Sequence, residues 1–321
     1  MSTNALLDGF AAQATTIRPE RGSVITIGNF DGVHRGHQAI IRTLCEAAEA
    51  IGASAVALTF EPHPTTFFQK RAAETFRLTS SERRRELLLA YGAEDVVTIP
   101  FESEFATLSA HDFVHELLHR RLHAREVHIG YDFAFGRGRE GTTATLQEMC
   151  GGLGIRVKIH PAYEADDKPI SSTRVRSELQ AARLDEVERL LGRPWTLPGV
   201  QAPGFQRGRK MGVPTINLYP QDLLLPPHGV YVTRVRIGDQ VWPSITNLGV
   251  RPTFADDPRV SAETFVLSDF EGLESGAALT LEFLAYVREE RRFEDQDALR
   301  AQIGKDVEVA KAHHAARDAK V

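Results

Sequence analysis

Ile27-Gly-Asn-Phe-Asp-Gly-Val-His-Arg-Gly-His37 decides how the first half of this 321-residue chain is read. A β-branched run, 24–27, leads into it, and a stretch of helical period, 37–50, leads away from it. A glycine-rich turn between a buried strand and a helix is where open α/β sheets bind ligands, at the carboxyl ends of the strands. Gly28, Gly32 and Gly36 allow backbone N–H groups to come close to phosphate oxygens, and the helix start adds partial positive charge. Phe30 and Asp31 lie inside the same turn. His34 and His37 can donate to non-bridging oxygens as charge grows on a phosphorus in transfer. Any one of twelve histidines is more commonly structural, but two, three residues apart in such a turn, point to chemistry.

The same rhythm continues outward. Apolar runs at 55–60, 96–99, 127–129 and 155–159 alternate with helical stretches at 80–90, 110–121 and 143–150. Thr79 with Glu82, and Ser109 with Asp112, have the spacing of capping boxes. Near-continuous apolar strands between helices predict parallel pairing with right-handed crossovers, hence a doubly wound, Rossmann-like α/β domain. The rhythm breaks after residue 182. A short helix at 184–191 leads into Gly192-Arg-Pro-Trp-Thr-Leu-Pro198, which reads as a linker. Beyond it, 230–237 meets Val241 across Gly238-Asp239-Gln240, a hairpin loop. Every odd position from Leu279 to Val287 is apolar, so one face of that strand is expected to be buried. A last helix, 295–317, carries Leu299, Ile303, Val307 and Ala310 on one stripe. The second half is therefore expected to be a small antiparallel β-barrel with a C-terminal helix. The predicted domains are 1–185 and 186–321.

Composition narrows the classes. With 42% apolar and 25% charged residues the chain is globular, and 321 residues suit two cores better than one. A net charge of −5 argues against nucleic acid as the main partner. Cys45 and Cys150 stand far apart with no metal-ligand spacing, which fits a reducing compartment. Residues 1–16 include Asp8 and have neither a basic start nor a sustained apolar run, so no leader is expected. No apolar stretch approaches the ~20 residues that span a bilayer. The expectation is a cytoplasmic protein with no nucleic-acid and no membrane partner; the oligomeric state is left open.

A second phosphate-binding element stands at Ile170-Ser-Ser-Thr-Arg-Val-Arg176, where hydroxyl groups and two arginines meet a loop-to-helix junction. With His34-Arg-Gly-His37 before it, this order resembles the nucleotidyltransferase superfamily, which carries a His-x-Gly-His signature. Phe60-Glu-Pro-His-Pro64, Leu78-Thr-Ser-Ser-Glu82 and Gly130-Tyr-Asp-Phe-Ala-Phe-Gly136 narrow the match. Together these segments, over residues 20–185, resemble the FMN adenylyltransferase domain of prokaryotic bifunctional riboflavin kinase/FAD synthetases. The resemblance implies that His34, His37, Ser171, Ser172, Thr173 and Arg176 handle ATP phosphates and that Asp132 helps to place the substrate. His63, between two prolines, is either part of the ligand site or a rigid turn. Tyr131 stands where the family commonly has an acidic residue.

The second half opens with Gly204-Phe-Gln-Arg-Gly-Arg-Lys-Met-Gly-Val-Pro-Thr-Ile-Asn217. Gly204, Gly208 and Gly212 precede or interleave with Arg209 and its basic neighbours, a composition suited to phosphate. Thr215 and Asn217, two apart after Pro214, would point to one side of an extended segment, where both oxygens could reach one Mg2+. This resembles the nucleotide-binding loop of riboflavin kinases, and the match extends through Pro226-Pro-His-Gly-Val-Tyr231, Asn247-Leu-Gly-Val-Arg-Pro-Thr-Phe254 and Gln302-Ile-Gly-Lys-Asp306. By that resemblance Glu263 is the catalytic carboxylate. Arg288 is expected to contact the flavin. Phe265 and the 269–276 segment depart from the family's pattern.

The function expected is phosphorylation of riboflavin to FMN and adenylylation of FMN to FAD, with ATP consumed in both steps. A class I aminoacyl-tRNA synthetase fragment would be expected to carry lysine in its second phosphate motif, and 170–176 has none. Other small nucleotidyltransferases leave Pro214-Thr-Ile-Asn217 unexplained. A non-enzymatic flavin-binding regulator has only the altered 269–276 segment in its favour.

Overall fold

A computed structural model describes residues 3–69, 72, 76–202, 215–251, 259–270 and 272–319. The chain divides into two compact units, Met1–Ser172 and Thr173–Val321.

In the first unit, β1 (Ser23–Ile27), β2 (Ser54–Glu61), β3 (Asp95–Pro100), β4 (Ala124–Gly130) and β5 (Arg156–His160) form a parallel sheet in the order β3-β2-β1-β4-β5. Its helices are α1 (Thr3–Ala11), α2 (Arg35–Ile51), α3 (Pro64–Gln69), α4 (Ser81–Ala90), α5 (Ser103–Ala106), α6 and α7 (Thr143–Gly152). The sixth starts as an α-turn, Ala110–Asp112, and runs on as a π-helix over Phe113–Arg121. Ile25, Ile27, Val127 and Ile129 pack on one face of the sheet with Phe113 and Leu117. Val24, Ala55 and Val96 pack on the other with Ile41, Leu44 and Leu88. Both faces are covered, which is why these strands read as continuous apolar runs. Strand order reverses at β1 and β4, so the carboxyl ends of those two strands open a crevice. A hairpin of β6 (Glu164–Ala165) and β7 (Lys168–Pro169) follows.

Two local readings change. The helix start near residue 80 is capped by Ser80, whose hydroxyl accepts the Arg83 N–H at 3.1 Å; Thr79 faces elsewhere. The sequence pattern also passes over α1, whose buried Leu7 and Phe10 offer only one turn of spacing. The Ser109 cap stands as expected, accepting from Asp112 N at 3.0 Å.

The second unit holds most of α8 (Ser172–Gln180), then α9 (Leu184–Leu191), which ends on Gly192 in the left-handed region at φ +71°. Its strands are β8 (Trp195–Val200), β9 (Thr215–Leu218), β10 (Gly229–Ile237), β11 (Gln240–Arg251), β12 (Arg259–Val266) and β13 (Ala278–Arg288). They pair antiparallel in the order β8-β13-β10-β11-β12-β9. Ala202 N–H donates to Asn217 O at 2.8 Å, drawing the two ends of the sheet together. The expected linker over 192–198 is thus largely strand: Trp195 and Leu197 are buried, and Trp195 packs edge-on to Phe283 at 5.2 Å. Pro198 is tolerated because β8 is the outer strand of the ladder. The hairpin loop is tighter than expected, with Ile237 opposite Gln240.

The apolar alternation of β13 holds only through Phe283. Bulges against β10 then shift the register, and Leu284, Ala285 and Val287 join the cluster facing the C-terminal helix α10 (Gln296–Asp318). That helix buries Asp306, Ala310 and His314, whereas Leu299 is 37% exposed. Polar residues with partners replace part of the predicted stripe. Among the described residues, no helix is long and apolar enough to cross a membrane.

Candidate active sites

The turn after β1 is held in a conformation that few sequences adopt. Phe30 and Val33 sit at φ +50° and +41°, each costing on the order of 1–3 kcal/mol, and Gly32 at +82°. His34 caps α2, its Nδ1 accepting the His37 N–H at 3.3 Å. The two imidazoles stack at 3.6 Å between centroids, and Phe30 meets His37 edge-on at 5.1 Å. Gly36 leaves room beside the pair: a Cβ there would lie 3.2 Å from the His34 ring, a tight contact. Gly28 extends the β1–β2 pairing through its N–H to Leu58 O at 3.1 Å.

Asp31 does something other than face a ligand openly. It is 2% exposed, and its carboxylate accepts the N–H of Leu78 at 3.0 and 3.1 Å and of Thr79 at 3.2 Å. The Thr79 hydroxyl donates to the same carboxylate at 3.3 Å and accepts the Gly32 N–H at 2.6 Å. Ser172 Oγ donates to Asp31 O at 2.8 Å. Arg84, 2% exposed, donates to Asn29 O at 3.3 Å, Phe60 O at 3.1 Å and Glu61 at 2.9 Å. Burial pushes its guanidinium below the usual value, and the Glu61 charge opposes that. The sequence offered no sign of Arg84, because arginines are common on a helix surface.

The other expected residues of this site fall in different places. Ser171 precedes α8 and Ser172 opens it; Thr173 and Arg176 follow on that helix, in the second unit. His63 has local duties: its Nδ1 accepts the Thr65 N–H at 3.1 Å at the start of α3, and its ring meets Phe76 at 4.8 Å. Asp132 is exposed just beyond β4, at the crevice, beside Tyr131, which is 57% exposed. Along β4 and β5 runs a polar chain that the sequence did not announce. Arg156 donates to Glu126 at 2.6 Å, His128 lies 2.9 Å from Glu126, and His160 lies 3.1 Å from His128.

In the second unit, Asn217 on β9 stands opposite Glu263 on β12, which stands opposite Asn247 on β11. Directly opposed residues share a face, so the three form one row across the sheet. Thr215 lies two residues from Asn217 on that face, opposite Phe265. Asn217 is 7% exposed. Its N–H donates to the Gln201 side-chain oxygen at 3.1 Å, while Gln201's own N–H and C=O bond Ala277 and Gly276, both at 2.8 Å. Gln201 thus replaces a ladder partner where β8 has ended.

Arg288 has partners within the second unit. Its guanidinium makes three contacts with buried Asp306, at 2.7, 3.0 and 3.1 Å, and donates to Glu289 O at 2.8 Å. It ties β13 to α10. Gly204, Gly208, Arg209, Gly212 and Pro214 lie outside the described residues.

The parallel sheet with its switch-point turn and the antiparallel sheet that follows it each match a family of transferases. The model of the FAD synthetase family matches residues 16–174, and that of the riboflavin kinase family matches 191–314. A bifunctional riboflavin kinase/FMN adenylyltransferase of Pseudomonas fluorescens is 40% identical over 297 residues, covering 92% of this chain and 94% of that one. That of Escherichia coli strain K12 is 35% identical over 289 residues, covering 90% and 91%. A crystal structure from Streptococcus pneumoniae, of a protein named macrolide-efflux protein, has a TM-score of 0.82 at 28% identity, covering 93% and 97%. The chain belongs to the family of bifunctional riboflavin kinase/FMN adenylyltransferases.

Proposed function

We propose that residues 186–321 phosphorylate riboflavin and residues 1–185 adenylylate the FMN so formed, both steps in the cytoplasm. Membership of the family supplies both activities, and with them riboflavin, FMN and ATP as substrates. The residue roles are this chain's own reading.

In the kinase step, Glu263 takes the proton of the ribityl 5′-hydroxyl while that oxygen bonds to the γ-phosphorus of ATP. The bond to the β-phosphate oxygen breaks, and ADP leaves. Thr215 and Asn217 are hard oxygen donors on one face, beside Glu263 by register. They fit Mg2+, which takes few protein ligands and otherwise uses water and phosphate. When bound, magnesium offsets phosphate charge.

In the second step, an FMN phosphate oxygen bonds to the α-phosphorus of ATP and pyrophosphate leaves. The nucleophile is already ionised, so the turn needs to position and stabilise rather than deprotonate. His34, His37 and the N–H groups that open α2 supply donors there. Ser171, Ser172, Thr173 and Arg176 serve the departing phosphates, with Asp132 at the crevice placing the flavin nucleotide.

The stacked His34–His37 pair at the start of α2 carries this reading. Purified protein with riboflavin, ATP and magnesium should form FMN and then FAD on chromatography. His37→Ala should stop at FMN. Equal loss of both products in that variant would refute two separate sites.

A further inference from the structure

The row on the second sheet extends past the residues assigned above. Asn247 Nδ2 donates to Glu290 Oε1 at 3.0 Å. Glu290 lies two residues beyond the end of β13, yet it returns to the face of β11. What admits it is Gly249, which is buried and two residues from Asn247 on the same side of the strand. A Cβ at 249 would come 1.9 Å from Glu290 Oε1 and 2.3 Å from Cδ. The exposed Glu290 carboxylate lies over Gly249, and a side chain at 249 would displace it from this position. Its backbone approach is set just upstream, where Arg288 clamps Asp306 and bonds Glu289 O.

A carboxylate only accepts hydrogen bonds, so Glu290 fixes which end of the Asn247 amide faces it. The NH2 end turns to Glu290, and Glu263, opposite Asn247 on β12, is the neighbour that its second proton would meet once the site is loaded. Cross-strand neighbours on one face have Cβ atoms about 4.5–5.5 Å apart, within the reach of an amide and a carboxylate. We propose that Glu290 is a positioning residue of the kinase step, holding Asn247 so that its amide orients the Glu263 carboxylate toward the attacking hydroxyl. Neither residue takes the proton. This rests on the reading of Glu263 as the base.

The test uses the full chain with Glu290→Ala, Glu290→Gln, Asn247→Ala, the double alanine variant and Glu263→Gln. Riboflavin phosphorylation is measured alongside riboflavin binding by fluorescence quenching and conversion of supplied FMN to FAD. Glu290→Ala and Asn247→Ala should each lower kinase kcat about ten- to hundredfold, the range for losing one positioned hydrogen bond to a charged group. Riboflavin KM and binding should stay within about twofold, and adenylylation should be unchanged. The double variant should be no slower than the slower single one, because the two residues act as one unit. Glu290→Gln, which still offers an acceptor, should recover most of the rate. An unchanged kcat in Glu290→Ala, multiplied effects in the double variant, or a change confined to KM would each overturn the proposal. Combined loss of binding and rate would also overturn it, by showing a merely structural role. If Glu263→Gln keeps full kinase activity, the base assignment itself fails. If that variant is inactive while Glu290→Ala is normal, the positioning proposal alone fails.

Discussion

Replacing Asp31 with alanine separates a ligand contact from a brace. The buried carboxylate accepts the N–H groups of Leu78 and Thr79 and the Thr79 hydroxyl. Alanine would leave two buried N–H donors without that acceptor, at about 1–3 kcal/mol each. It would also release Thr79, which holds Gly32 between the strained Phe30 and Val33. Together these give a loss of roughly 3–5 kcal/mol in the first unit. For a unit of this size that amounts to a fall in Tm of about 6–20 °C. The measurement is thermal unfolding of the purified chain, with both activities assayed at a temperature where the variant stays folded. FAD formation should fall steeply, because the turn carrying His34 and His37 loses its tether, while FMN formation from riboflavin should persist. Asp31→Asn, which keeps one acceptor oxygen, should fall between the two. A Tm within 2 °C of the parent, roughly half a kcal/mol, with raised ATP KM and normal kcat would refute the brace and return Asp31 to the ligand.

Four further outcomes are expected. Asn217→Ala should abolish phosphorylation of riboflavin and spare adenylylation of supplied FMN; unchanged kinase magnesium dependence would remove Asn217 as a ligand. Gln201→Leu should cost about 1–3 kcal/mol by leaving the Asn217 N–H unpaired, and should raise the magnesium needed for half-maximal kinase rate. Arg288→Met and Asp306→Ala should lower the unfolding temperature of the second unit in parallel, with the double variant no worse than the single ones; a riboflavin KM effect confined to Arg288→Met would show a flavin contact beside the ion pair. His160 is pushed down to about 4 by burial, with His128 and Lys158 adding to the effect. Between its ordinary 6.5 and that value only the unfolded chain takes up the proton, so the stability His160 confers is present above pH 6.5 and is lost as pH falls. His160→Gln should therefore flatten the decline in Tm between pH 7 and 5.

The first site was legible because its parts are local. Gly28 to His37 are contiguous, the strand before them and the helix after them have distinct periods, and the cap formed by His34 closes within one turn. What the sequence concealed there is long in range. Asp31 bonds residues 47 and 48 positions away, and Arg84 reaches Asn29 across 55. Nothing in a glycine-rich turn announces that its carboxylate has partners so far along the chain. The partner of Arg288 was likewise concealed: Asp306 sits 18 residues later on a helix face that the pattern assigned to apolar residues. Where the sequence misjudged a surface, as at Leu299 or in the second half of β13, a buried ion pair or a bulge had changed which positions face inward.

The second site depends on register, which no local pattern encodes. Asn217, Glu263 and Asn247 meet only because three strands align to the residue. A slip of β12 by one position would turn Glu263 into the sheet's interior and bring Thr264 out to the face. The interior carries its own safeguard against that slip. Thr233, Ser244, Thr246 and Thr264 are all fully buried. Thr233 Oγ1 lies 2.8 Å from Ser244 Oγ and 2.7 Å from Thr246 Oγ1, which lies 2.8 Å from Thr264 Oγ1. Such a slip would already turn the inward set of β12 outward, and buried hydroxyls that lose their partners add about 1–3 kcal/mol each. The hydroxyl chain on the inner face therefore specifies the alignment that brings Glu263 beside Asn217 on the outer one. The alignment of the outer row is thereby tied to hydrogen bonds on the opposite face.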